Sequence, residues 1–385
     1  MNVRYRSFCL LLGLSAVGVS ASGAAEWKNE PFISSSLRYD DNVRFVDSQP
    51  ESSAGIVLDA GLSLRNDDGV VETVIQPRLS FLGYASQSDL NTSDQYLDFK
   101  TSMKGLRGNL GLSLGLARDS AITSELEDTG RVTINARRNR IAVGTLWEYR
   151  LTPRNAVELG YNFRNVQWAD TENQELLDNN SNEVWGAFKR RVNEHDDVNL
   201  RVHKSDFESP DNGFDSKTVG GSFGFVRRFS ELNRVELEVG AWNADLNAEG
   251  GKESRSGLAY SGTLAHTEEV YNYRIGIGQQ VAPSSAGRIR RDTRLQGYLD
   301  YRFSPRLHWG VDSSLIFARK IGDLSSESDR DYSMIRPFLS WDWTRQMQLS
   351  ASLRISHQEF KDFGSTADKS EFLVTLTYGK AGIGY

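Results

Sequence analysis

Gly111-Leu112-Ser113-Leu114-Gly115 spells G-x-S-x-G, the pattern that in hydrolases lifts a serine nucleophile onto a sharp strand-to-helix turn. That serine needs a following helix, a general base and an acid to orient the base. Here Leu110, Leu112, Leu114 and Leu116 alternate through the motif, so Ser113 reads as the interior of a strand, with no catalytic role. His195, His203, His266, His308 and His357 are scattered without H-E-x-x-H or other metal-ligand spacing, so no metal site is assigned. His203 with Asp206, at the outer end of a strand, is the one further acid–base candidate. No glycine-rich phosphate loop or paired-carboxylate motif stands out. The chain reads as a non-enzyme, with neither catalytic residues nor cofactor.

The remaining chemistry lies in ionised side chains that recur at every second position. From 294 to 303, Arg294, Gln296, Asp300 and Arg302 oppose Leu295, Leu299, Tyr301 and Phe303. From 56 to 65, Asp59, Gly61, Ser63 and Arg65 oppose Ile56, Leu58, Ala60, Leu62 and Leu64. Leu349, Ala351, Leu353 and Ile355 repeat the pattern near the end. A helix would spread such an alternation around its circumference, whereas a strand sorts it onto two faces.

Segments of this kind fall near 32–45, 54–65, 70–85, 94–105, 109–119, 137–151, 156–168, 183–192, 197–206, 216–229, 234–245, 256–267, 271–282, 291–303, 308–320, 331–343, 347–360 and 370–378. These are eighteen strands, or sixteen if the end segments or one hairpin are misread. The connections alternate between tight turns, such as Asn66 to Gly69 and Ser304 to Leu307, and long loops, such as 47–53, 120–136 and 169–182. Short turns at one end and long loops at the other are the signature of outer-membrane barrels. The fold expected is all-β: a transmembrane antiparallel up-and-down barrel with both termini periplasmic.

In such a barrel the apolar face meets lipid and the other face lines the lumen. The lumen-lining candidates are Arg38, Arg65, Arg78, Arg138, Arg140, Arg164, Arg201, Arg274, Arg294, Arg336, Arg354, Glu72, Glu236, Glu238, Asp300 and Asp312. So many ionised groups require water, because a dry unpaired charge costs several kcal/mol. Basic residues outnumber acids among them; the excess would favour an anionic solute, while mutual pairing would stiffen the wall. Membrane-interface aromatics are expected at Trp147, Tyr149, Tyr301, Trp309, Trp341 and Trp343 beside tight turns. Trp168, Trp185 and Trp242, with Phe207 and Tyr332, are expected beside long loops. The closing alternation of Phe372, Val374, Leu376 and Tyr378 looks like an outer-membrane assembly signal, with Tyr385 the other candidate end.

Composition agrees with this reading. The net charge is −6, without a basic block for nucleic acid. A hydrophobic content of 38% is low for a globular core, yet aromatics at 10% and regular patterning oppose disorder. Arg4 and Arg6, the apolar stretch from Phe8 to Val19, and the small residues Ala21 to Ala25 read as a secretory signal peptide. Cleavage after Ala25 fits best, with Ala21 or Ala24 as alternatives, leaving 26–385 as the barrel. Cys9, the single cysteine, would leave with the signal. The partners expected in the outer membrane of a Gram-negative cell are its lipids, lipopolysaccharide and the barrel assembly machinery.

The segment Trp27 to Val43, above all Tyr39-Asp40-Asp41-Asn42, resembles the opening of the outer-membrane β-barrel porins encoded in exopolysaccharide or capsule loci, including exosortase-linked ones. The resemblance implies export of a polysaccharide substrate with a periplasmic polysaccharide-export protein. Diffusion of small solutes and a surface binding or structural role without transport are the alternatives. A loop folded into the lumen, with 120–136 and 169–182 as candidates, would favour a porin. An open aromatic and polar track would favour glycan passage, and a plugged lumen would favour binding.

Overall fold

The computed structural model describes residues 27–128, 135–169, 176–322, 328–362 and 364–379. Eighteen antiparallel strands make up the wall. They are β1 (Lys28–Asp40), β2 (Ser53–Asp67), β3 (Val71–Tyr84), β4 (Thr92–Lys104), β5 (Gly108–Ser120) and β6 (Arg137–Thr152). β7 (Asn155–Ala169), β8 (Asn179–Arg191), β9 (Asp196–Ser209), β10 (Phe214–Arg228), β11 (Asn233–Ala248) and β12 (Gly251–Thr267) follow. β13 (Tyr271–Pro283), β14 (Ile289–Ser304), β15 (Leu307–Lys320), β16 (Arg330–Asp342), β17 (Met347–Phe360) and β18 (Ser365–Tyr378) complete the sheet. β1 pairs with both β2 and β18, so the sheet closes and leaves no free edge. One short helix, α1 (Ala121–Asp128), follows β5.

Strands of 13 to 17 residues, tilted by about 40°, span roughly 33–43 Å. That exceeds the ~25 Å apolar band of such barrels, so the strand ends stand in water. Residues paired across a ladder share a face, and burial identifies the two faces. Asp94, Asp119 and Arg138 lie on one face and are at most 5% exposed. Leu112, Leu200, Val202 and Leu237 lie on the other and are 43–67% exposed. Polar groups inside and aliphatic groups outside reverse the pattern of a soluble protein, as lipid on one side and water on the other demand.

The prolines sit where the ladder is open. The β2–β3 pairing steps from Gly61↔Arg78 to Leu64↔Ile75, skipping Pro77, and the β16–β17 pairing steps over Pro337. Pro31 precedes the first β1–β18 pair, Ile33↔Tyr378. Pro283, the last residue of β13, lies beyond the end β12–β13 pair, Tyr260↔Gln279, so each of the four strand prolines has one side free of a ladder partner.

Six of the eight short turns use one device: a side-chain oxygen accepts the N–H groups two and three residues onward. Asp68, Thr152, Asn193, Ser230, Ser304 and Thr344 supply the acceptor, with N···O distances of 2.6 to 3.3 Å. Gly69, at φ +85°, completes the Asp68 turn. Thr344→Ala is expected to lower stability by about 1 kcal/mol, measured as the urea midpoint in detergent micelles.

The N–H groups of Val71 and Val70 hold the Asp68 carboxyl below its ordinary pKa. Its folded value is the lower one, so its stabilisation is present above the unfolded pKa and fades as pH falls through the folded value. Asp68→Asn should therefore flatten the acid side of the stability profile and leave neutral-pH stability nearly unchanged.

The strands follow the expected alternation with four main differences at the long-loop end. β8, β12 and β18 begin earlier than their apolar patterns, because the ladder continues through outward polar residues such as Asn180, Asn182, Ser254, Ser256, Thr366 and Asp368. β1 runs 28–40, where the alternation predicts 32–45. Asn42 turns the chain inward: its Nδ2 donates to Val46 O at 2.7 Å and to Asp368 O at 2.9 Å. Its Oδ1 accepts from Val46 N at 3.1 Å.

Candidate functional site in the lumen

Ladder register assigns every inward position. Arg38, Arg65, Glu72, Arg78, Arg138, Arg140, Arg164, Arg201, Glu236, Glu238, Arg274, Arg294, Asp300, Asp312, Arg336 and Arg354 all share the face of buried Asp94 and Asp119. They are spread around the wall and form no single constellation. Most are paired locally: Arg65 with Glu72 at 2.8 Å, Arg201 with Glu183 at 3.1 Å, and Arg336 with Asp312 at 2.5 Å. Arg234 pairs with Glu236 at 2.8 Å, and His308 Nδ1 meets Asp300 at 2.8 Å. Arg78 lies over the Tyr96 ring at 4.3 Å. Arg140 and Arg274 carry no ion pair among the described residues.

Denser networks gather where loops meet the wall. Under the 41–52 loop, Asp40 takes Arg38 at 3.1 Å and Lys369 at 2.8 Å, and Arg38 also reaches Glu371 at 2.6 Å. Asp40 is fully buried and Lys369 is 2% exposed. Beside α1, Arg138 grips Asp119 with two hydrogen bonds of 2.9 and 2.8 Å and reaches Glu125 at 3.4 Å. Thr123 Oγ1 donates to Asp94, which also receives Arg137. These contacts fix α1 against the inner wall. On β14, Asp292 is held between Arg290 at 2.7 Å and Arg294 at 3.4 Å.

Three apolar clusters lie on these networks. The first joins Val43 and Phe45 of the 41–52 loop to Tyr84 of β3, Leu90, Ile122 of α1, Ile316 of β15, Tyr332 of β16 and Ala367 of β18. From β15 through β18 and β1 to β5 is half the circumference. The cluster lines this arc at the long-loop end, and the 41–52 loop folds inward to join it. Phe45 meets Tyr332 edge-on at 6.3 Å, in a left-handed backbone conformation at φ +51°. The second cluster covers β9 to β15, with Phe207, Phe214, Trp242, Leu246, Ile289 and Ile321. Across it the 284–288 loop reaches β9 and its neighbours, where Asn212 Nδ2 donates to Gly287 O and Arg288 stacks on Phe214. The third holds Ala121, Ala136 and Leu176 against Trp168. Arg44 braces the roof from outside, pairing with Asp89 at 2.5 Å; this hydrogen bond holds the Asp89 carboxyl below its ordinary pKa.

Several expectations need correction. Trp168, Trp185 and Trp242, with Phe207 and Tyr332, point into the lumen rather than at the membrane interface. Trp168 sits beneath the Arg138 guanidinium at 5.8 Å, and Trp242 is 6% exposed with its Nε1 donating to Leu258 O. Outward aromatics at that end are Tyr39, Phe81, Phe317 and Phe372. At the short-turn end the outward set is Trp147 stacked on Tyr149, Tyr301 against Phe303, Trp309, and Trp341 stacked on Trp343. His203 faces inward and Asp206 outward, so they form no acid–base pair. Ser113 lies within β5, its Oγ donating to Gly144 O at 3.4 Å. Of the candidate constricting loops, 120–136 contributes α1. The 41–52 and 284–288 loops were not anticipated. Residues 129–134 and 170–175 lie outside the described residues, as do the signal-peptide assignment and Tyr385.

A closed barrel of eighteen antiparallel strands with an apolar outer belt and a charged interior is a transmembrane β-barrel fold. No protein-family model and no curated protein matches this sequence. Among solved structures the chain is similar to the Pseudomonas aeruginosa protein OccK2 (OpdF), at 10% identity over 93% of this chain and 98% of that one, with a TM-score of 0.50. Acinetobacter baumannii OccAB1 aligns at 10% identity over 94% and 99% of the two chains, with a TM-score of 0.49. The Pseudomonas aeruginosa outer-membrane protein opdK aligns at 11% identity over 92% and 99%, with a TM-score of 0.49. The OccK2 likeness establishes the fold.

Proposed function

We propose that the chain is an outer-membrane pore for the diffusion of small solutes, with its termini and short turns in the periplasm and its roofed mouth at the cell surface. The observation that carries this reading is the first apolar cluster, in which Val43 and Phe45 of the inward-folded 41–52 loop and Ile122 of α1 are buried with residues from an arc spanning half the wall. A conduit for a continuous polymer needs an unobstructed mouth, and this roof works against one. The exopolysaccharide reading rests on Tyr39-Asp40-Asp41-Asn42, and those residues have a local structural role. Asp40 anchors the buried ion network and Asn42 starts the inward loop. The charged, small-residue wall below the roof favours passage of polar solutes over sealing of the lumen.

The test is osmotic swelling of proteoliposomes with neutral solutes of increasing size. Swelling with monosaccharide-sized solutes and exclusion of dextran are expected. Dextran permeation, or no permeation by any solute, would overturn the proposal.

A further inference from the structure

One inward ladder row crosses six consecutive strands as Gly160, Trp185, His203, Gly220, Trp242 and Gly257. Each ring lies flat over a glycine of an adjacent strand. A Cβ at Gly160 would fall inside the Trp185 indole, one at Gly220 inside the His203 ring, and one at Gly257 inside the Trp242 indole. Three rings are thus pressed against the wall, where upright side chains would project across the lumen. The row is roughly 24 Å long at ~4.8 Å per strand. Strand tilt makes it climb, and it ends at the roof, where Trp242 enters the second apolar cluster.

Polar groups flank the row. The Arg201 guanidinium stacks on Trp185 at 4.4 Å and pairs with Glu183 at 3.1 Å. Its Nε is buried without a protein partner. Ser222 and Glu238 hydrogen-bond to each other one strand further on. No side chain among the described residues hydrogen-bonds the His203 ring. Flat ring faces bordered by the Glu183 and Glu238 carboxylates and the Ser222 hydroxyl complement a ring with one C–H face and a rim of hydroxyls. Because Arg201 is already matched by Glu183, the row offers no free cation to an anion.

Resting on the pore reading above, we propose that this row is a binding track for neutral pyranose saccharides, which stack beside Trp185 and His203 while their hydroxyls reach Glu238 and Ser222. The track deepens the small-solute function by naming a solute class, and it involves no chemistry on the sugar.

Binding is tested by calorimetry on the full chain in detergent micelles, with maltotriose and cellotriose as probes and sorbitol as an acyclic polyol control. Conductance of the same preparation in planar bilayers is recorded separately, so a chain that conducts without binding sugar fails this proposal alone. A chain that binds sugar but conducts nothing fails the pore reading alone. Saturable binding of at least one trisaccharide is expected, with Trp185→Ala and His203→Ala each weakening it about tenfold. Trp341→Phe, on the lipid face, should bind as wild type, and Trp185→Phe should retain most of the affinity if stacking is the cause. Equal affinity in Trp185→Ala, equal affinity for sorbitol, or no binding of either trisaccharide would overturn the proposal.

Discussion

Replacing residues 44–50 with Gly-Gly is expected to raise single-channel conductance by about twofold or more, because the cross-section of the narrowest level sets ion flow. Val43 N donates to Glu51 O at 2.9 Å, so the ends of this loop already lie side by side and a two-residue turn can join them. The replacement removes Phe45, which packs on Tyr332 of β16, three strands away, and Arg44, which ties the loop to Asp89. It leaves the Asp40–Lys369–Arg38–Glu371 network in the wall, so the barrel itself should still fold. Heat-modifiable gel migration reports folding independently of conductance. A folded variant with wild-type conductance would mean that the 41–52 loop does not limit the pore.

Arg138→Leu should lower stability by about 3–5 kcal/mol, the usual consequence of leaving a buried charge without its partner. Asp119 and Glu125 are 3% and 2% exposed at their side chains, and Arg138 holds Asp119 with two hydrogen bonds and reaches Glu125. A hydrophobic replacement fills the space but leaves the buried Asp119 carboxylate without its two-pronged partner, and α1 loses the Arg138–Glu125 link to β6. The urea midpoint in micelles should fall, and conductance should become noisier as α1 leaves the wall. Arg138→Lys keeps the charge but not the two-pronged grip on Asp119, and should lie between the two. Wild-type stability in Arg138→Leu would show that water reaches this network and screens it.

The wall was legible in the sequence because a barrel strand writes its two solvents into alternate residues. Leu110 to Leu116 and Leu349 to Ile355 identify their faces without any knowledge of partners. The same parity carried information that position along a strand obscured. Trp242 stands four residues from Glu238, and Trp168 four from Arg164, so each shares the polar face. Nearness to a loop suggested an interface role instead. The roof was not legible, because Val43 and Phe45 continue the alternation of β1 by chance of spacing. Only the contact of Phe45 with Tyr332 of β16, three strands away, shows that the chain has left the wall. Contacts between residues so far apart in the chain leave no local periodicity. The aromatic row was hidden for the same reason, since its members come from six strands.

The central claim is a wide lumen narrowed at one end by folded-in loops. Its most direct test is polymer partitioning into a single oriented channel, with polyethylene glycols of graded size added to one side at a time. Mid-sized polymers should enter from the short-turn side and lower the conductance, while the same polymers added at the long-loop side should be excluded. Equal access from both sides would contradict the roofed-lumen account.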